Sequence, residues 1–100
     1  MITGTVCRAA RALVEISRYK LAANANVDKD VIRRFEKGID VPDDKTIAAL
    51  IAALEELGAQ FIPEQGARGA GVRLKFSRSM TRRIDTLENE GGPPAKDDVP

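Results

Sequence analysis

The sequence predicts a mostly α fold of four to five short helices followed by a small C-terminal β-hairpin. Three observations carry this expectation. Apolar residues recur at helical spacing in four successive blocks, each opened by a capping residue and closed by a turn residue. After Gly58 the helical period ends, and Val72, Leu74 and Phe76 alternate with charged residues. Finally, the 100 residues are 43% apolar but only 4% aromatic, which suits one core of tightly packed Ala- and Leu-rich helices.

Thr3 serves as N-cap of the first helix, with Val6, Ala9, Ala10, Leu13 and Ile16 following at helical intervals. Ser17 caps a second helix backed by Leu21, Ala22 and Ala25, and Asn26 tolerates the left-handed turn that ends it. Val27 plugs the core between two helices. Asp28 caps a third helix whose buried face is Val31, Ile32 and Phe35, and Gly38 stops it. Val41-Pro42 forces an extended approach to the next cap, because the residue before proline is pushed out of helical geometry. Asp43 or Asp44 then opens a fourth helix striped by Ile47, Leu50, Ile51, Leu54 and Leu57, with Gly58 at its end.

Phe61-Ile62 reads as extended chain, and Val72, Leu74 and Phe76 alternate with Arg73 and Lys75 as in a half-buried strand. PEQGARGAG between them is a glycine-rich loop, so the two strands form a hairpin that needs the helices or a second subunit to cover it. Residues 1–76 therefore form one domain and residues 77–100 a tail. In the tail, Met80, Ile84 and Leu87 line one face of a short helix over 78–90, and disorder follows Gly91-Gly92-Pro93-Pro94.

Histidine is absent and cysteine occurs once, which removes most metal sites and most nucleophile–base pairs. The expectation is a chain that is not an enzyme and has no cofactor. No stretch approaches ~20 apolar residues, and the N-terminus has no basic segment followed by an apolar run. A soluble, cytoplasmic protein without a membrane partner is expected, and the lone cysteine fits a reducing compartment. Net charge is only +1, but Ser17–Gly38 holds six bases (Arg18, Lys20, Lys29, Arg33, Arg34, Lys37) against three acids (Asp28, Asp30, Glu36). The local balance is +3 where the second and third helices form a helix-turn-helix, a unit that presents the start of its second helix to a major groove.

The blocks CRAARAL (7–13), SRYKLA (17–22), NVDKDVIRRFEKG (26–38) and TIAAL (46–50) resemble, in this order, the Cro/C1-type (XRE-family) helix-turn-helix regulators, particularly short bacterial ones. The resemblance spans about residues 3–62, and VRLKF resembles the end of some short members. It implies a lambda-repressor-like DNA-binding domain that acts on transcription as a homodimer at double-stranded operator DNA. It further implies that Lys29, Asp30, Arg33 and Arg34 contact bases. Arg18 stands where members commonly carry a phosphate-contacting glutamine, Lys37 lies where backbone contacts are common, and Glu36 serves structure through a salt bridge inside the motif. Tyr19 either hydrogen-bonds a phosphate or packs on the bundle surface.

The two aspartates separate by role. Asp28 is explained as a cap, worth about 1 kcal/mol. Asp30 has no such explanation: it accepts from cytosine N4, pairs with Arg34 one turn later, or stands exposed and weakens non-specific binding. The alternative function follows from these acids, namely a protein-interaction module, antiactivator or antitoxin-like, that keeps the fold but binds a protein partner. Dimerisation has three candidate surfaces: the outer face of the fourth helix, the hairpin edge, and Met80/Ile84/Leu87.

Overall fold

The computed structural model describes residues 1–76 of the chain. Among them are four helices, α1 (Gly4–Val14), α2 (Arg18–Ala25), α3 (Lys29–Glu36) and α4 (Asp44–Glu56), and two strands, β1 (Ala59–Ile62) and β2 (Gly71–Leu74). The helix expected over 78–90, with Met80, Ile84 and Leu87, lies outside the described residues. The fold is thus mostly helical with a small antiparallel sheet.

Each helix starts where a short polar side chain satisfies an orphan backbone donor. Thr3 accepts from the Val6 amide, Ser17 from Lys20, Asp28 from Asp30 and Asp43 from Thr46. Asp43 rather than Asp44 is therefore the cap of α4. Hydrogen bonds from Thr46, side chain and backbone, hold the Asp43 carboxyl below its ordinary value. α1 ends at Glu15 and α2 at Asn26, both in left-handed geometry with φ near 60°.

The core is one cluster around Leu21, Ile32, Leu50 and Leu54, all fully buried, with Cys7, Ala10, Phe35, Ile47, Ala53 and Ala59. α2 and α3 pack against each other, with Leu21 and Ile32 in the core and Ala22 and Val27 partly buried at its margin. Gly4 governs how closely α1 crosses α3: a Cβ placed there would lie 1.9 Å from the Phe35 carbonyl oxygen. No substitution at this position avoids the clash without moving a helix.

The hairpin pairs Ala59 with Leu74, Gln60 with Arg73, Phe61 with Val72 and Ile62 with Gly71. It rests on α1 and α4, which supply the cover that two strands require. The strand expected to run through Phe76 stops at Leu74; the Lys75 backbone amide adds one more in-register bond, to the Gly58 carbonyl at 2.7 Å, and Phe76 beyond it is half exposed. Beside the hairpin an apolar groove of about 440 Å³ is lined by Ile2, Val6, Ile51, Phe61 and Ile62, among others. None of the described helices is long and apolar enough to cross a membrane.

Candidate nucleic-acid interface

α3 has a tethered end and an exposed end. The tether is Glu36, whose carboxylate side chain is 1% exposed. Its oxygens accept from Arg11 twice, Nε to Oε2 and Nη2 to Oε1, both at 2.7 Å. Arg18 Nε donates to Oε1 at 3.2 Å and the Cys7 thiol to Oε2 at 3.4 Å. Arg11 also donates through Nη1 to the Ile16 carbonyl, so this one cluster joins α1, the turn after it, α2 and α3.

The electrostatics follow from this geometry. Burial works against the charge on Glu36, but the hydrogen bonds and charge of Arg11, with bonds from Cys7 and Arg18, hold its carboxyl below the ordinary range. The same hydrogen bonds raise Arg11 above its usual value against the cost of its own burial. Burial and the neighbouring Glu36 charge push the Cys7 thiol up to about 12. Cys7 is thereby a neutral, buried donor in a structural cluster.

The exposed end of α3 carries the residues expected to meet bases. Asp28 Oδ1 accepts from the Asp30 amide at 2.7 Å, which confirms its capping role. Lys29 and Asp30 are exposed on the first turn. Asp30 does not pair with Arg34, as i, i+4 spacing suggested; its Oδ1 holds Arg33 Nε at 2.8 Å and Nη2 at 2.7 Å, one residue nearer. Arg34 instead pairs with Asp40, which reaches it from the α3–α4 connection. The reason is backbone: the Ile39 and Asp40 amides both donate to the Arg34 carbonyl, folding the chain back over the end of α3. Neither Arg33 nor Arg34 pairs with Glu36.

Of the residues expected at phosphates, Tyr19 is 73% exposed and stands clear of the bundle rather than packing on it. Lys37 is exposed at the C-cap of α3. Arg18 is drawn inward by Glu36 through Nε and retains 30% exposure of its side chain. The surface thus brings together Lys29, Asp30, Arg33 and Arg34 on one short helix, with Lys37 at its end.

Three contributors are absent from sequence reasoning: Arg11, Gly4 and Asp40. Arg11 left a signal, since it follows Cys7 at i, i+4 on the core-facing side of an otherwise apolar helix, where a charge needs a buried partner. Gly4 left a weaker one, a glycine inside the first helical turn. Asp40 left none. Among the described residues no group of His, Cys, Asp or Glu could hold a metal ion. No protein-family model and no curated protein sequence matches the chain.

Proposed function

We propose that the chain is a sequence-specific DNA-binding transcriptional regulator of the Cro/C1 (XRE) kind, with a lambda-repressor-like fold. It acts as a homodimer on double-stranded operator DNA, with helix 28–37 in the major groove. One observation carries the reading: α3 is tethered at Glu36 while Lys29, Asp30, Arg33 and Arg34 occupy its solvent-facing surface. A helix presented in this way can enter a groove without disturbing the core that holds it. Arg18, Tyr19 and Lys37 supply phosphate contacts beside it, which fix register rather than sequence.

Random-site selection on duplex DNA, followed by mobility shift on the selected site, tests the reading. A selected sequence and a binding constant that falls steeply with salt are expected. Failure to select any sequence, with no shift even at low salt, would refute it.

A second reading has its own observation. Arg18, Arg33 and Arg34 are all paired to carboxylates within the chain, and Ile39 and Val41 are exposed on either side of Asp40, Val41 by 78%. A surface so neutralised and edged with apolar side chains suits a protein partner of the antiactivator or antitoxin-like type. Recovery of a stoichiometric partner whose binding is lost with Lys29→Glu would favour it.

A further inference from the structure

Arg33 and Arg34 are adjacent on α3, and each is gripped by a single carboxylate oxygen through the same pair of nitrogens. Asp30 Oδ1 takes Nε and Nη2 of Arg33, and Asp40 Oδ2 takes Nε and Nη2 of Arg34, the latter at 2.5 Å each. A guanidinium carries five N–H donors in a rigid plane, and this grip occupies the edge that includes Nε. The opposite edge, formed by Nη1 and the second N–H of Nη2, has no partner among the described residues. That edge has the two parallel donors that match guanine O6 and N7.

The two carboxylates have different origins. Asp30 lies one turn away on the same helix. Asp40 belongs to a connection that is itself pinned, because the Ile39 amide donates to the Arg34 carbonyl at 2.8 Å and the Asp40 amide at 3.4 Å. These bonds hold the Asp40 backbone over the end of α3, from which its carboxylate reaches Nε and Nη2 of Arg34. An arginine without such a partner surrenders its rotamer freedom when it binds, and it binds any phosphate within reach. One held by a carboxylate has surrendered that freedom beforehand, and the adjoining negative charge repels phosphate oxygens.

Resting on the reading of α3 as a DNA-contacting helix, we infer that Asp40 is a specificity-determining residue. It orients the free edge of Arg34 for guanine and suppresses the pull of the same arginine on phosphates.

The test uses the full chain and the duplex obtained by random-site selection. Binding to that duplex, to versions with each guanine replaced in turn, and to a scrambled duplex is measured by fluorescence anisotropy for wild type, Asp40→Asn and Asp40→Glu. A well-made bidentate contact discriminates by fivefold or more, so Asp40→Asn is expected to lose roughly that factor at one guanine. The same variant should bind the scrambled duplex roughly twofold to fivefold more tightly, the range of an exposed ion pair. Asp40→Glu should recover part of the discrimination. Equal weakening of selected and scrambled duplexes would mean that Asp40 only supports the loop, and unchanged discrimination would mean that it does nothing; either overturns the inference. If wild type selects no sequence, the DNA reading falls first and takes the inference with it, an outcome the wild-type measurement alone identifies.

Discussion

Replacing Gly4 by alanine separates two physical arguments that point in opposite directions. Helix propensity alone favours alanine over glycine by up to about 1 kcal/mol. Geometry opposes it: the new Cβ would lie 1.9 Å from the Phe35 carbonyl oxygen, 2.7 Å from its carbon and 3.0 Å from Glu36 Cα. All three are backbone atoms, so no side chain can swing aside. Restoring van der Waals contact requires α1 and α3 to part by roughly 1.5 Å, given the ~3.5 Å that non-bonded heavy atoms prefer. That displacement would stretch the 2.7 Å bonds between Arg11 and Glu36 and open the core near Cys7 and Phe35. Overpacking of this kind costs about 1–3 kcal/mol, and the upper end applies because a buried ion pair loosens with it. For a domain of this size the loss corresponds to a fall in Tm of roughly 12 °C or more. Urea denaturation followed by circular dichroism measures it directly. A Gly4→Ala protein as stable as wild type, or more so, would refute the close-crossing argument.

Glu36→Gln should cost about 3 kcal/mol, the low end for a broken buried pair, because Arg11 and Arg18 keep 14% and 30% of their side chains exposed to water. Since the folded-state pKa of Glu36 lies below its unfolded value, its stabilisation is complete above about pH 4.5 and is lost as pH falls through the folded value. Urea midpoints between pH 7 and pH 3 should therefore fall more steeply for wild type than for Glu36→Gln; parallel profiles would contradict this. Cys7, pushed up to about 12, should resist thiol reagents at pH 8 in native protein and react at once in urea; fast native labelling would show that the cluster opens. Arg34→Ala should relax base preference at the selected site, whereas Arg18→Ala should weaken all duplexes and lower the salt slope by about one. Isotherms at several salt concentrations distinguish the two effects.

Features decided within a few residues of chain were readable before folding. The caps Thr3, Ser17 and Asp28 and the left-handed Asn26 depend on local hydrogen bonds and backbone sterics, and the structure has each in its expected role, while of the two candidates for the fourth cap it selects Asp43 over Asp44. The alternation of Val72 and Leu74 likewise announced a strand, though the pairing reaches only the in-register bond from the Lys75 amide to the Gly58 carbonyl and leaves Phe76 beyond it. The candidate site was legible in membership and not in pairing. Lys29, Asp30, Arg33 and Arg34 share α3 by helical spacing alone, but i, i+4 reasoning offered Arg34 as one of the roles open to Asp30 and could not foresee the chain folding back to deliver Asp40. Arg11 and Glu36 stand 25 residues apart, and Gly4 meets a carbonyl on another helix. Contacts of that kind arise only from tertiary packing, which no local period encodes.

The tether at Glu36 makes α3 a lever with its fulcrum at one end. Eight residues span roughly 12 Å, so a 10° tilt about the Gly4–Phe35 crossing would move the far tip by roughly 2 Å. Lys29 and Asp30 ride on that tip. Changes in α1, a helix outside the candidate interface, therefore have mechanical advantage over it. A substitution at Cys7 or Arg11 that leaves the fold intact would still re-aim the far end of α3, so if α3 recognises DNA as proposed, its aim has a second place at which to change.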